Sequence, residues 1–234
     1  MIARVDDETV HLMTQPDHAR LARRVMERCV PLASLDRRDE ILHAIGEHDN
    51  GWAEPDAAPV VDPESGGLAD FIRLPLPARH DVWRRGVARL ADRPWAAALV
   101  AHHAITVYGR YREDAAWRAF FADMDGARAS MIAASGHARD EIDADYVFLR
   151  LGDLISLVFC TAGDERPAFG GWSVVRDGGR VIVSPDIFDG AVVPVAVEAR
   201  ELPVRRWHDD QALRDALAAA PRVTITGEIS GARA

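Results

Sequence analysis

The first thirteen residues alternate apolar and polar positions, which is the pattern of two short strands joined by a turn. Apolar side chains stand on both sides of the acidic stretch 6–8, at Ile2, Val5, Val10 and Leu12. Residues 2–13 are therefore predicted to form a strand-turn-strand unit at the start of the chain.

Helical periodicity follows this unit and continues to about residue 162. Thr14, Pro16 and Asp17 are typical of a helix start, which places His18 in a first helical turn. A second helix is predicted to end near His48. The segment 52–78 is rich in proline and glycine, and we interpret it as a long loop able to cover a site. Further helices are predicted at about residues 80–92, 94–109, 113–134 and 138–162.

The pattern changes to strands after Gly163. Residues 172–184 predict a hairpin around Asp177-Gly178-Gly179, and 192–204 and 222–229 predict further strands with a short helix between them. The expected fold class is α+β. In this prediction a mostly helical bundle with an N-terminal β-hairpin spans 1–163, and a β-rich part, able to share a sheet with the N-terminal strands, spans 164–234.

Composition excludes several classes of function. The 234 residues carry a formal net charge of -9 with a sequence pI near 5.4, so we expect neither nucleic acid nor an anionic membrane as partner. All 28 basic residues are arginine, which excludes a lysine Schiff base or a phosphate-loop lysine. The acidic N-terminus and the absence of a long apolar run predict a cytoplasmic protein, and Cys29 and Cys160 are predicted to be buried thiols.

Histidines and carboxylates on separate helices are the strongest chemical signal. His18, the adjacent pair His48 and Asp49, and Asp153 stand at positions from which one cavity could collect them. An imidazole and a carboxylate are both ligands of divalent metals. The sequence therefore predicts a metal site at the meeting point of several helices.

Asp153 interrupts a helix that is apolar on nearly every side, where a carboxylate must be paired, hydrogen-bonded or bound to a metal. His102 and His103 interrupt a second apolar helix, and adjacent helical positions point about 100° apart. We therefore expect one of the two to face the site, and we select His102. Structural alternatives stay open: His48 and Asp49 could end a helix, and Asp153 could pair with Arg150.

The order of these residues resembles the HD superfamily of metal-dependent phosphohydrolases and diiron oxygenases. This resemblance implies that His18, His48, Asp49 and Asp153 are metal ligands, and that His102 could serve a second metal. One departure is that Asn50, Gly51 and Trp52 follow the His-Asp pair, where many hydrolases of the superfamily have isoleucine, glycine and lysine. The segments TQPDHARLA and AIGEHDNGW, with the histidine helix ending in VYGR, also resemble a bacterial family of unassigned function across the first 160 residues or so.

The leading functional hypothesis is a metal-dependent hydrolase that cleaves a phosphate ester of a small anionic substrate. Its cofactor would be one or two divalent ions, Fe, Mn or Zn, and Asp49 would hold the attacking water or bridge two ions. Substrate-binding candidates, in place of a lysine, are Arg110, Arg112 and Arg150. The alternatives are a diiron oxygenase and a ligand-binding module without catalysis.

Overall fold

The computed structural model describes residues 1–163 and 165–232. Helices α1 to α5 span Gln15–Met26, Val30–Ala33, Arg38–Glu47, Ala53–Ala57 and Leu76–Ala88. Helices α6 to α9 span Pro94–Val107, Arg118–Ser135, Glu141–Thr161 and Asp210–Ala219. The predicted helices are confirmed, although α5 begins four residues before the predicted start and α7 begins five residues after it.

Seven strands form one mixed sheet in the order β1-β2-β6-β7-β5-β4-β3. They span Ile2–Val5, Thr9–Met13, Ala168–Phe169, Trp172–Asp177, Arg180–Ser184, Val192–Pro203 and Arg222–Gly231 for β1 to β7. Both predicted hairpins are confirmed, with Val5 opposite Val10 in the first and Asp177 opposite Arg180 in the second. All neighbouring pairs are antiparallel except β5 and β7, which run parallel.

The α+β class agrees with the prediction, but the mostly helical HD-type bundle is wrong. Helices make up half of the protein and strands a fifth, and the sheet includes strands from both ends of the described chain. In β6, every second residue from Val193 to Ala199 is buried, so one face of the sheet needs a covering layer. The sheet is thus a full layer of the fold and not an addition to a bundle.

Helices α1 and α8 supply that layer. Helix α1 packs on β6, and α8 packs across β1, β4 and β5. A single core cluster joins Val25 of α1, Ile155 of α8 and Val195 of β6. A second, aromatic-rich cluster lies between α5, α6 and α7. The fold therefore has a helix-on-sheet half and a helix-on-helix half, and α6 contributes buried residues to both.

Gly152 allows α8 to approach α1 and α3 closely. A Cβ at this position would lie 2.8 Å from the Met26 Cγ and 3.3 Å from the Ile45 Cγ2. The first distance is shorter than real Cβ contacts and the second is tighter than most of them, so a larger residue would require the Met26 and Ile45 side chains to move. The next residue, Asp153, is thereby held close to α1 and α3.

Both cysteines lie in the core, at 1% exposure for Cys29 and 0% for Cys160. Burial raises the pKa of Cys29 to about 11 and that of Cys160 to about 12. Because the thiolate is the reactive form, we expect neither thiol to react with a disulfide reagent at pH 8 while the protein is folded.

The measurement is a thiol titration in buffer and again in guanidinium chloride, where both cysteines should react within minutes. A thiol that reacted equally fast in both solutions would contradict the buried placement of that cysteine.

In the described part of the chain, no helix combines the length and the apolar character that crossing a membrane requires.

Candidate metal centre

His18 enters the site from the first turn of α1. The Thr14 side chain accepts a hydrogen bond from the Asp17 backbone N–H, and this cap fixes where the helix begins. His18 is fully buried, with its Nε2 3.1 Å from Asp153 Oδ1 and its Nδ1 2.9 Å from the Ser156 hydroxyl. Both partners belong to α8, so His18 joins α1 to that helix.

His48 and Asp49 follow the last turn of α3. The Nδ1–H of His48 donates to the Ile45 carbonyl at 2.7 Å, which leaves Nε2 as the free ring nitrogen. This Nε2 lies 3.4 Å from Asp49 Oδ2, and the His18 Nε2 lies 3.8 Å from the same oxygen. The adjacent residues thus direct an imidazole and a carboxylate to one point.

Asp153 stands opposite these groups on α8. Its Oδ1 lies 3.1 Å from His18 Nε2 and 3.6 Å from His48 Nε2. Its Oδ2 accepts an ion-paired hydrogen bond from Arg150 and lies 3.8 Å from the His103 Nε2. The carboxylate therefore faces all three imidazoles of the cluster.

The histidine that α6 contributes is His103, and the selection of His102 was incorrect. His103 is buried, and its Nδ1 lies 3.1 Å from the Tyr146 hydroxyl. The His102 ring lies outside the cluster: it packs on Tyr146, with ring centroids 4.5 Å apart, and contacts Arg128 and Asp143. Trp95 to Ala101 are all buried in α6, so the apolar pattern gave no indication of which side faces the site.

Each imidazole is held by its Nδ1, and each directs its Nε2 toward the same place. Orientation of a histidine ligand through the second ring nitrogen is the usual arrangement at metal sites. Two groups of side chains have the geometry to hold a metal ion, His18-His48-Asp49 and His48-His103-Asp153. Both groups include His48, whose Nδ1 donates to the Ile45 carbonyl, so its Nε2 is the ring nitrogen available to a metal.

A second observation supports the binding of a cation by these residues. Within residues 1–163 and 165–232, the His48 Nε2 is shielded from solvent and has no hydrogen-bond partner. A buried polar atom without a partner is costly. Metal–ligand distances of about 2.0–2.2 Å put ligand atoms up to about 4.4 Å apart, and the separations of 3.4 Å and 3.6 Å around this atom lie within that limit.

The carboxylates dominate the electrostatics of the cluster. Burial alone would lower the pKa of His48, but Asp49 and Asp153 outweigh it and raise that pKa to about 9. His103 is farther from these charges, and burial lowers its pKa well below the usual value. Burial opposes ionisation of Asp153, yet the neighbouring histidines and Arg150 hold its pKa well below the usual range. The cluster thus contains one carboxylate whose ionised form is favoured, Asp153, and one imidazole whose neutral form is favoured, His103.

A family model described as "protein of unknown function (DUF3891)" matches residues 1–204. The chain belongs to the DUF3891 family. Neither a curated protein nor a solved structure matches it. The resemblance to the HD superfamily is therefore wrong: the family model that matches is DUF3891, and the fold contains a seven-stranded mixed sheet. The resemblance depended on the order of four ligand-type residues, which different folds can share.

The His/Asp cluster of this DUF3891 protein opens into a cavity of about 260 Å³. Four of the five cluster residues line it, namely His18, Asp49, His103 and Asp153. Apolar and aromatic side chains form the rest of its wall, chiefly Trp52, Phe71, Ile72, Trp83, Val107, Tyr108 and Leu157. Phe71 and Ile72 come from the segment predicted to be a long loop, so part of that segment borders the site.

The candidate substrate-binding arginines have different positions. Arg150 and Arg110 line the cavity, and Arg150 also pairs with Asp153. Arg112 does not line it: its guanidinium pairs with Asp125 at 3.0 Å and lies over the Phe121 ring. Arg112 is therefore removed from the set. Sequence reasoning missed Arg79, which lines the cavity from α5.

Two supporting residues on α8 were also missed, although their spacing was informative. Ser156 follows Asp153 by three positions, and Tyr146 precedes it by seven, so all three lie on one face of the helix. Once Asp153 is taken as a ligand, that spacing marks Ser156 and Tyr146 as candidates to orient its neighbours. In the structure they contact His18 and His103.

Replacing Tyr146 with phenylalanine should weaken metal binding without loss of the fold. The ring stays in the core, but the His103 Nδ1 loses its partner, and such losses cost about 10- to 100-fold in metal affinity. Competition with a fluorescent chelator measures the change. Tyr111→Phe is the matched control, because Tyr111 stacks on Trp117 and does not line the cavity. Equal affinity of Tyr146→Phe and the wild type would contradict the orienting role.

Proposed function

We propose that this DUF3891 protein is a metal-dependent hydrolase that cleaves a phosphate ester of a small anionic substrate. The observation that supports this most directly is the convergence of three imidazole Nε2 atoms and two carboxylates beside a cavity that arginines also line. Nitrogen and carboxylate ligands suit Zn, Mn or Fe. Since the two ligand groups share His48, the proposal specifies one ion per chain.

A divalent cation in this centre would polarise a phosphoryl oxygen and lower the pKa of a water molecule. The side chains of the protein supply the remaining functions. Asp49 reaches the cavity, where its carboxylate can accept a hydrogen bond from the attacking water and orient it. The guanidinium of Arg150, fixed by its ion pair with Asp153, places positive charge beside the phosphoryl oxygens.

The cavity wall favours the reaction by excluding bulk water. Trp52 and Trp83 are buried, and Phe71 and Tyr108 are half-buried around the same space. A low-dielectric surrounding strengthens each electrostatic contact with the phosphoryl group. In the proposed hydrolysis the water oxygen forms a bond to phosphorus, and the ester oxygen leaves as an alcohol after it takes up a proton.

Elemental analysis and a phosphatase assay test this proposal together. Protein purified without chelator should contain about one ion of Zn, Mn or Fe per chain. It should release phosphate from para-nitrophenyl phosphate or from a panel of small phosphate esters. Chelation should stop the release, and the metal should restore it. His102→Ala is the matched control and should behave as the wild type does.

Three outcomes would contradict parts of the proposal. Protein without bound metal, even after incubation with Zn, Mn or Fe, would contradict the metal centre. Stoichiometric metal with no hydrolysis of any ester in the panel would contradict the phosphatase activity, and it would favour a ligand-binding module. Two ions per chain would contradict the assignment of both ligand groups to one ion.

A further inference from the structure

Arg79 is a cavity-lining cation with no counter-charge in the described structure. Its side chain is half-buried on α5, and its Nε is shielded from solvent without a hydrogen-bond partner. Across residues 1–163 and 165–232, no carboxylate lies within ion-pair distance of it, whereas Arg150 is paired with Asp153. A partly desolvated guanidinium gains most from an anion that binds beside it.

A row of aromatic rings leads from the metal centre to Arg79. Trp83 contacts His103 with ring centroids 5.6 Å apart and Tyr108 with centroids 6.1 Å apart. Tyr108 in turn packs on Trp117 at 4.6 Å, and the Arg79 guanidinium lies 5.5 Å from the centroid of Trp117. Arg79 and Trp83 are four positions apart on α5, so one helical turn of about 5.4 Å separates them along the axis.

The cavity therefore has two polar ends and an aromatic middle. One end is the cluster of metal ligands with Arg150, and the other is Arg79; Arg110 lines the same cavity from the turn after α6. Trp83 and Tyr108 line the cavity between them. A ligand that satisfies both ends needs an anionic group at each end and a flat apolar body to lie along the rings.

We infer that Arg79 binds a second anionic group of the substrate, on the far side of an apolar body from the phosphoryl group. This inference rests on the proposed function, because the phosphoryl group is taken to lie at the metal centre. The substrate class is a small aromatic or similarly flat phosphate ester that also carries a carboxylate or a second phosphate. Arg79 would then determine specificity, since its fork of donors matches either anion in two parallel hydrogen bonds.

The test compares two non-hydrolysable ligands that differ only in the second anion. Phenylphosphonate and para-carboxyphenylphosphonate are titrated calorimetrically into the metal-loaded protein. The carboxylate should improve affinity by about 10- to 100-fold, the range expected for a charge-assisted hydrogen-bonded pair. Arg79→Met should abolish this improvement, and Arg79→Lys should restore part of it. The control Arg112→Met should retain it, because Arg112 lies outside the cavity.

The outcomes distinguish failure of the inference from failure of the proposed function. If the two ligands bind the wild type equally well, or if Arg79→Met retains the improvement, the inference is overturned and the metal-dependent hydrolase stands. If phenylphosphonate binds equally well with and without metal, the proposed placement of the phosphoryl group fails, while the effect of the carboxylate at Arg79 is still measurable. Failure of both ligands to bind would overturn the inference.

Discussion

His48→Ala is expected to reduce the metal content from about one ion per chain to nearly none and to abolish hydrolysis. The reason is that both groups of ligands depend on the same Nε2, so no complete triad survives the substitution. Loss of metal should also lower the free energy of unfolding. At a metal concentration of about 100 Kd, a bound ligand contributes about 2.7 kcal/mol, which corresponds to about 5–10 °C in Tm for a chain of this size.

The measurement is elemental analysis with thermal unfolding, with and without chelator. His43→Ala is the matched control, because His43 lies on the same helix but outside the cluster. Chelator should lower the Tm of the wild type and of His43→Ala, and it should leave that of His48→Ala unchanged. Full metal content in folded His48→Ala would contradict the metal centre.

Gly51→Ala is expected to destabilise the protein by about 2–4 kcal/mol. A Cβ at Gly51 would lie 1.9 Å from the Val82 carbonyl oxygen and 3.0 Å from the Gly86 nitrogen. Both atoms belong to the backbone of α5, so no side chain can move aside to make room. The turn that follows Asp49 would have to shift, and metal binding should weaken as well.

Chemical denaturation measures this change, with Gly109→Ala as the control. Gly109 begins a short turn after α6, and a Cβ there meets no atom within 4 Å. Its substitution should alter the free energy of unfolding by no more than about 0.5 kcal/mol. Similar stability of the two variants would contradict the close packing of Gly51 against α5.

Local patterns were sufficient to predict most helices and strands. The alternation of residues 2–13 and the turn at Gly178 predicted hairpins that the structure contains. Strand pairing was harder to predict, because alternation shows that a strand has one buried face but does not show which strand lies beside it. The pairing of Leu12 with Arg200 spans most of the chain, and no local pattern indicates it. This is why the extent of the sheet was underestimated.

In the candidate site, too, local patterns identified some residues but not how the helices pack. His18, His48, Asp49 and Asp153 were selected because ligand-type side chains in apolar helices need partners, and the structure brings them together. The orientation of one helix could not be inferred in this way. Since α6 is buried on nearly every side, His102 and His103 had equivalent sequence surroundings, and only the packing of α6 distinguishes them.

Arginine positions were the least predictable. A long flexible side chain reaches several places from one backbone position, and its choice depends on partners that are distant in sequence. Arg112 pairs with Asp125 outside the cavity, whereas Arg79, which has no ion pair among the residues that the structure describes, lines it. Neither fact follows from the residues adjacent to these arginines.

The middle position of β7 in the sheet has a consequence for biosynthesis. This strand lies between β6 and β5, so residues 192–203 and 180–184 cannot be joined in one sheet until residues 222–231 leave the ribosome. Helix α1, which holds His18, packs on β6, and α8, which holds Asp153, packs on β1, β4 and β5. The sheet beneath both helices is therefore complete only after residue 231 has been translated, and we expect a nascent chain to acquire its metal after that point.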